Sequence, residues 1–287
     1  MFYQMYTSNK GRIHAITFLT ILALVVSACQ SILPGQASIP EVVITSSEYI
    51  FENPAEIEAG LTSIQLENKG EELHHAQLVR LNDGVSVDEF QAAMQAEDEQ
   101  LMLRLVTLTG GVGLLPPGGS GSVLMDLKEG QYILLDFIPD AQGVPNLAKG
   151  MVSPMRVNAS ESTEAAQAPS ADAEIVLKDF NMVLPDEISA GSQTWQINNE
   201  GPQPHEIILL KLVDNMTMDD VQKWGVTMEG PPPFEPVGGM QGLSAGGSGY
   251  LELDLSPGSY IASCDIPDPV SGKPHSELGM LMEFEVQ

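Results

Sequence analysis

Apolar and polar residues alternate along most of this chain from residue 42 onward, the period of a strand with one buried face. Runs at 42–45, 62–67, 76–81 and 122–127 and around Tyr132 predict the strands of one unit; runs at 174–178, 194–198, 206–212 and 250–255 and around Tyr260 predict those of another. Two places leave this period. Ser86 followed by Glu89, and Thr217 followed by Asp220, set a hydroxyl N-cap ahead of an acidic third position, so each unit is expected to insert one helix. Gly- and Pro-rich stretches at 109–121 and 229–249 read as loops that return the chain to the sheet. Short strands with this punctuation argue for β-sandwiches, a mainly β fold class.

The two sets of runs are copies. A shift of 131 lays Ile64-Gln-Leu-Glu-Asn68 over Trp195-Gln-Ile-Asn-Asn199 and His74 over His205. Further on the shift is 128, which brings Gly118-Gly-Ser-Gly121 to Gly246-Gly-Ser-Gly249 and Tyr132 to Tyr260. The units are expected at 41–157 and 174–287, each long enough to bury its own core. Residues 158–173 are small, polar and acidic, the composition of a flexible linker, and predict that the two units move relative to each other.

The N-terminus has a different character. Lys10 and Arg12 precede an apolar run from Ile13 to Val26, and Val26-Ser27-Ala28-Cys29 follows, the pattern of a bacterial lipoprotein signal. Residues 1–28 are then a signal peptide, Cys29 carries the lipid, and residues 29–40 form a tether. The apolar run is shorter than the roughly 20 residues that span a bilayer. This predicts an exported protein anchored in the cell membrane or outer membrane and facing the periplasm or exterior. Removing residues 1–28 takes away two cations and no acid, so the formal charge becomes −27 − 2 = −29. Such a surface repels nucleic acid and favours basic partners, although most of it reads as a solvated exterior.

Cys264 is then the one remaining thiol in an exported chain, without a disulfide partner. It is a core residue, an intermolecular crosslink or a metal ligand. Here the copies part chemically. The second has His205, Cys264, His275 and Met280; the first keeps His74 and Met151 but has Asp136 for the cysteine and Asn146-Leu147 where the second histidine belongs. Taken singly, each of these residues is more often packing than ligand. Their order carries more information.

Asn199 followed by His205 at a strand start, Gly258-Ser-Tyr260 ahead of Cys264, and His275-Ser-Glu-Leu-Gly-Met280 ahead of a last strand resemble the cupredoxins, the blue-copper family. The resemblance covers most of 174–287 and implies two tandem cupredoxin-like Greek-key sandwiches. It also implies one copper in the second, with His205 and His275 as nitrogen ligands, Cys264 as thiolate and Met280 as axial ligand. Copper alternates between Cu(I), which prefers sulfur, and Cu(II), which prefers imidazole, and such a set accommodates both. Ten residues separate Cys264 from His275, more than in most small cupredoxins and similar to copper nitrite reductases.

The function expected is therefore a lipid-anchored copper protein that transfers electrons to a redox partner the sequence does not name. The alternatives are a metal-free adhesion or ligand-binding lipoprotein, and copper storage or delivery through the chain's 14 methionines. No enzyme is expected. Multicopper enzymes need further histidines, often as His-x-His or His-Cys-His, and neither string occurs.

Overall fold

The computed structural model describes residues 38–287 apart from 97, 98, 141, 142, 163, 164 and 228, so residues 1–28, expected to be a signal peptide, and Cys29 lie outside the described residues. The first repeat contains β1 (Glu41–Ser47), β2 (Ile50–Glu52), β3 (Glu56–Glu58), β4 (Gly60–Asn68), β5 (His74–Leu81), helices α1 (Val87–Gln95) and α2 (Glu99–Leu105), β6 (Val106–Leu115), β7 (Ser120–Leu127), β8 (Gly130–Leu135) and β9 (Val152–Asn158). The second contains β10 (Ala173–Lys178), β11 (Asn181–Val183), β12 (Gly191–Asn199), β13 (His205–Leu212), α3 (Met218–Thr227), β14 (Phe234–Leu243), β15 (Ser248–Leu255), β16 (Gly258–Ser263), the short α4 (His275–Leu278) and β17 (Leu281–Val286). Alternation has become one-sided burial: Val42, Ile44 and Ser46 of β1 and Trp195, Ile197 and Asn199 of β12 all point inward.

The architecture is mainly β, two tandem Greek-key sandwiches, but they are not separate bodies. One sheet runs β11-β10-β12-β15-β7-β4-β1-β2 and the other β17-β16-β13-β14-β6-β5-β8-β9-β3, so both sheets cross from one repeat into the other. The joints are antiparallel: β14 on β6, with Met240 opposite Val112, and β15 on β7, with Leu251 opposite Val123. Under the shift of 128 those paired residues are equivalents, so an approximate two-fold axis passes through both joints. A single set of buried apolar side chains extends through both repeats, including Val112, Met125, Met240 and Leu243 near the joints.

Three sequence expectations are corrected here. The repeats do not move as independent units, because backbone hydrogen bonds join them in both sheets. The glycine-rich stretches are not simply loops: they contain most of β6 and all of β14, the strands of one joint. Gly110, Gly111, Gly238 and Gly239 take positive φ near irregularities in the ladder, where a bulge needs that conformation. The first repeat inserts a pair of helices rather than one. Phe90 and Ala93 of α1 and Met102 of α2 cover Val79, Leu81, Ile133 and Leu135. The Ser86 cap is as expected, with Glu89 N–H donating to its hydroxyl and Ser86 N–H donating back to the Glu89 carboxylate. No helix among the described residues is long and apolar enough to cross a membrane.

Candidate metal centre

Asn199, buried at the end of β12, shapes the turn that delivers His205. Its amide donates to the carbonyls of Gln203 and Leu243 at 2.8 Å each, and its oxygen accepts the Gly201 N–H at 2.9 Å. His205 then opens β13 with its ring turned inward. Cys264 directly follows β16, and its N–H donates to the Met280 carbonyl at 3.0 Å. His275 begins α4, with its N–H on the Ile266 carbonyl at 3.0 Å, and the Met280 N–H returns to the His275 carbonyl at 2.9 Å. The ten-residue excursion is thus pinned at its base, while Asp268 accepts the Ser271 N–H and hydroxyl at 2.7 Å and closes its tip. Gly279 has φ 131°, and a Cβ there would lie 2.6 Å from the Phe180 carbonyl oxygen. Only glycine lets this loop close against the β10–β11 turn.

These elements bring together a nitrogen or sulfur atom from each of His205, Cys264 and His275, all within 4.8 Å of one another and all from buried residues. The two Nδ1 atoms are 3.1 Å apart, and Cys264 Sγ is 3.5 Å from His275 Nδ1. Met280 is fully buried in the same core as Cys264. Among the described residues this is the one cluster of three or more His, Cys, Asp or Glu groups so placed.

Each imidazole turns its other nitrogen outward onto an oxygen: His205 Nε2 lies 2.9 Å from Asp179 Oδ1, and His275 Nε2 lies 3.1 Å from Gln203 Oε1. Phe180, a residue with φ 61° in the β10–β11 turn, packs T-shaped on the His275 ring with centroids 5.5 Å apart. With Nε2 protonated toward its oxygen, each ring has a lone pair at Nδ1. Two such lone pairs facing each other at 3.1 Å repel unless a proton or a cation lies between them. Two inward nitrogens and a thiol form a set that suits copper.

Burial pushes the Cys264 thiol well above its ordinary range, and the nearby Glu206 carboxyl adds to the effect. A metal ion that displaces the thiol proton reverses this preference. Burial, with the Asp265 charge second, also pushes the Glu206 carboxyl up from 4.5 to about 8, so near pH 7 it adds little charge beside the sulfur. Glu206 accepts the Asp265 N–H at 3.0 Å, while its own N–H points at Cys264 Sγ at 3.5 Å. His275 is held below the usual imidazole range by burial and then by the neighbouring His205. Partial burial works against the Asp179 carboxylate, but hydrogen bonds from His205 and Gln203 outweigh it and hold that group low.

The first repeat places His74, Asp136, Asn146 and Met151 at the matching positions, all fully buried. His74 Nδ1 is 2.7 Å from Asp136 Oδ2, and Asn146 Nδ2 donates to the same oxygen at 3.3 Å. The other carboxylate oxygen accepts the Ile138 N–H at 2.8 Å. His75 Nε2 accepts the Phe137 N–H at 2.8 Å, and burial holds that imidazole below its ordinary range.

Sequence reasoning passed over Asp179, Phe180, Gln203 and Glu206. A signal for the first two was present: the shift of 131 lays Asp179-Phe180 over Glu48-Tyr49, an acid before an aromatic in both copies.

No protein-family profile and no curated protein matches the sequence. Among solved structures, reduced auracyanin from the photosynthetic bacterium Roseiflexus castenholzii aligns at 19% identity, covering 40% of this chain and 94% of its own, with a TM-score of 0.29. A multicopper oxidase aligns at 15% identity over 88% of this chain and 93% of its own, with a TM-score of 0.24. A Cu-containing nitrite reductase from Thermus scotoductus aligns at 12% identity over 86% of this chain and 61% of its own, also at 0.24. The expectation that the chain is not an enzyme does not stand, since two of these solved structures carry the names of enzymes. Among the described residues, the one cluster of copper-compatible donors lies in the second repeat of this mainly β, two-sheet fold.

Proposed function

We propose that the chain is an exported, lipid-anchored copper protein that transfers electrons through one site in its second repeat. His205 and His275 are its nitrogen ligands, Cys264 its thiolate and Met280 its axial ligand. Copper bound there supplies a one-electron couple between Cu(I) and Cu(II). The chain's own residues do the rest: hydrogen bonds at both ends of the Cys264–Met280 loop preset the donors, and their burial excludes water. A preset, dry site changes little between two oxidation states, which favours fast transfer. The observation that carries this reading is the convergence of both Nδ1 atoms and a thiol in a buried pocket. The strongly acidic chain favours a basic redox partner. Cys29 is the proposed lipid attachment point, holding the protein at the cell membrane or outer membrane on its periplasmic or exterior side.

Copper titration of the chain with visible absorption tests the reading. About one copper per chain with an intense thiolate band, absent in Cys264→Ser, is expected from this ligand set. Copper uptake without such a band overturns it.

A further inference from the structure

We infer that Asp179 and Gln203 are positioning residues for the copper site, forming one outer bridge that orients both imidazoles and places a carboxylate where it stabilises Cu(II) over Cu(I). The inference rests on the copper reading above, and begins with hydrogen-bond polarity. An ionised carboxylate only accepts, so the 2.9 Å contact between Asp179 Oδ1 and His205 Nε2 requires a proton on Nε2. The same carboxylate accepts from Gln203 Nε2 at 3.2 Å, which fixes the amide so that its oxygen faces His275. Gln203 Oε1 at 3.1 Å from His275 Nε2 then requires a proton there too. One acceptor-only group therefore sets the direction of the whole bridge, and both Nδ1 atoms are left facing the pocket.

The first repeat supplies a comparison within the same molecule. Glu48 occupies the position of Asp179, but its carboxylate accepts the N–H groups of Glu71 and Glu72. It stays 3.9 Å from His74 Nε2, which has no hydrogen-bond partner. The carboxylate thus bonds the imidazole in the copy that has the donor set and fails to do so in the copy that lacks it. Gly201 leaves room for the contact: a Cβ there would lie 2.8 Å from both Asp179 Oδ1 and His205 Nε2. A carboxylate hydrogen-bonded to a ligand imidazole makes the ring more basic, and the added negative charge favours the more positive oxidation state.

The test measures copper affinities and the reduction potential of the full chain with Asp179→Asn, which keeps an acceptor and removes the charge. Cu(II) affinity is expected to fall about 10–100-fold. With Cu(I) affinity nearly unchanged, this raises the potential by about 60–120 mV at 59 mV per tenfold. Glu48→Gln is expected to shift neither. Gln203→Leu retains the charge and breaks the link to His275, so a smaller loss of Cu(II) affinity is expected; it also serves if Asp179→Asn does not fold. In the metal-free wild-type chain, nitrogen–proton NMR is expected to show a proton on Nε2 of both His205 and His275. An unchanged potential and affinity in the variants, or an unprotonated Nε2 on either ring, overturns the inference. A wild-type chain without a thiolate–copper band overturns the functional reading instead, and NMR still decides the bridge.

Discussion

The His74 and His205 pockets have nearly the same backbone and opposite needs. In one, the Met151 N–H donates to the Asn146 carbonyl at 3.1 Å and the Asn146 N–H to the Ile138 carbonyl at 2.9 Å; in the other, Met280 to His275 is 2.9 Å and His275 to Ile266 is 3.0 Å. What differs is the chemistry of two side chains. Asp136 offers oxygens that His74 Nδ1, Asn146 and the Ile138 N–H all engage, so the inward nitrogen of His74 already has a protein partner, although His74 Nε2 and Asn146 Oδ1 are left without one. Cys264 and His275 offer no comparable acceptor, and the second pocket sets nitrogen against nitrogen. A pocket whose inward imidazole nitrogen is already bonded to a carboxylate has little use for a metal. One whose inward nitrogens face each other suits a cation between them.

The strongest way to break the contrast is to convert one pocket into the other. Asp136→Cys combined with Asn146→His recreates the second repeat's donor types around His74 and Met151, and copper per chain measured by atomic absorption is expected to rise from about one to about two. A chain that still takes up one copper would mean that the surrounding residues matter more than the donors.

The next effect is on stability. Asp136→Ala strands His74 in a pocket where both partners are fully buried, at an expected cost of about 3–5 kcal/mol in urea denaturation of the metal-free protein. Cys264→Ala removes a thiol that anchors little in that state and is expected to cost about 1 kcal/mol. Equal losses would erase the distinction between a structural pocket and a binding one.

The third effect follows from pH. Glu206 has its folded value raised to about 8 from an ordinary 4.5, so between those values the native state holds a proton that the unfolded chain has released. Its contribution to stability therefore falls as pH rises through that window, by up to about 1.4 kcal/mol per unit, and is level below and above it. Glu206→Gln is expected to remove this component, seen as a smaller difference between urea midpoints at pH 5 and pH 7.5 in the metal-free protein.

Much of this was legible because strand periodicity and duplication are local signals. The runs that became β4, β5, β12 and β13, the Ser86 cap, and the order of His205, Cys264, His275 and Met280 all stand in the sequence as residue types at set intervals. The joints were hidden for a specific reason. β6 and β14 carry Gly110, Gly111, Gly238 and Gly239 in bulges, so they read as loops, and no periodicity records which edge meets which. Helix α2 was missed because Leu101, Met102, Leu103 and Leu105 run straight into the apolar start of β6. Asp179 and Gln203 sit in turns far along the chain from His275, and their role exists only once the fold has brought the three together.

The two-fold axis through Val112–Met240 and Val123–Leu251 has a consequence for how the pockets could diverge. Identical subunits meeting across such an axis share one gene, so any substitution in a pocket occurs twice. Residues 158–173 join the halves into one polypeptide and remove that constraint. One pocket is then free to lose its donors while the other keeps them, and the lasting product of the covalent link is asymmetry.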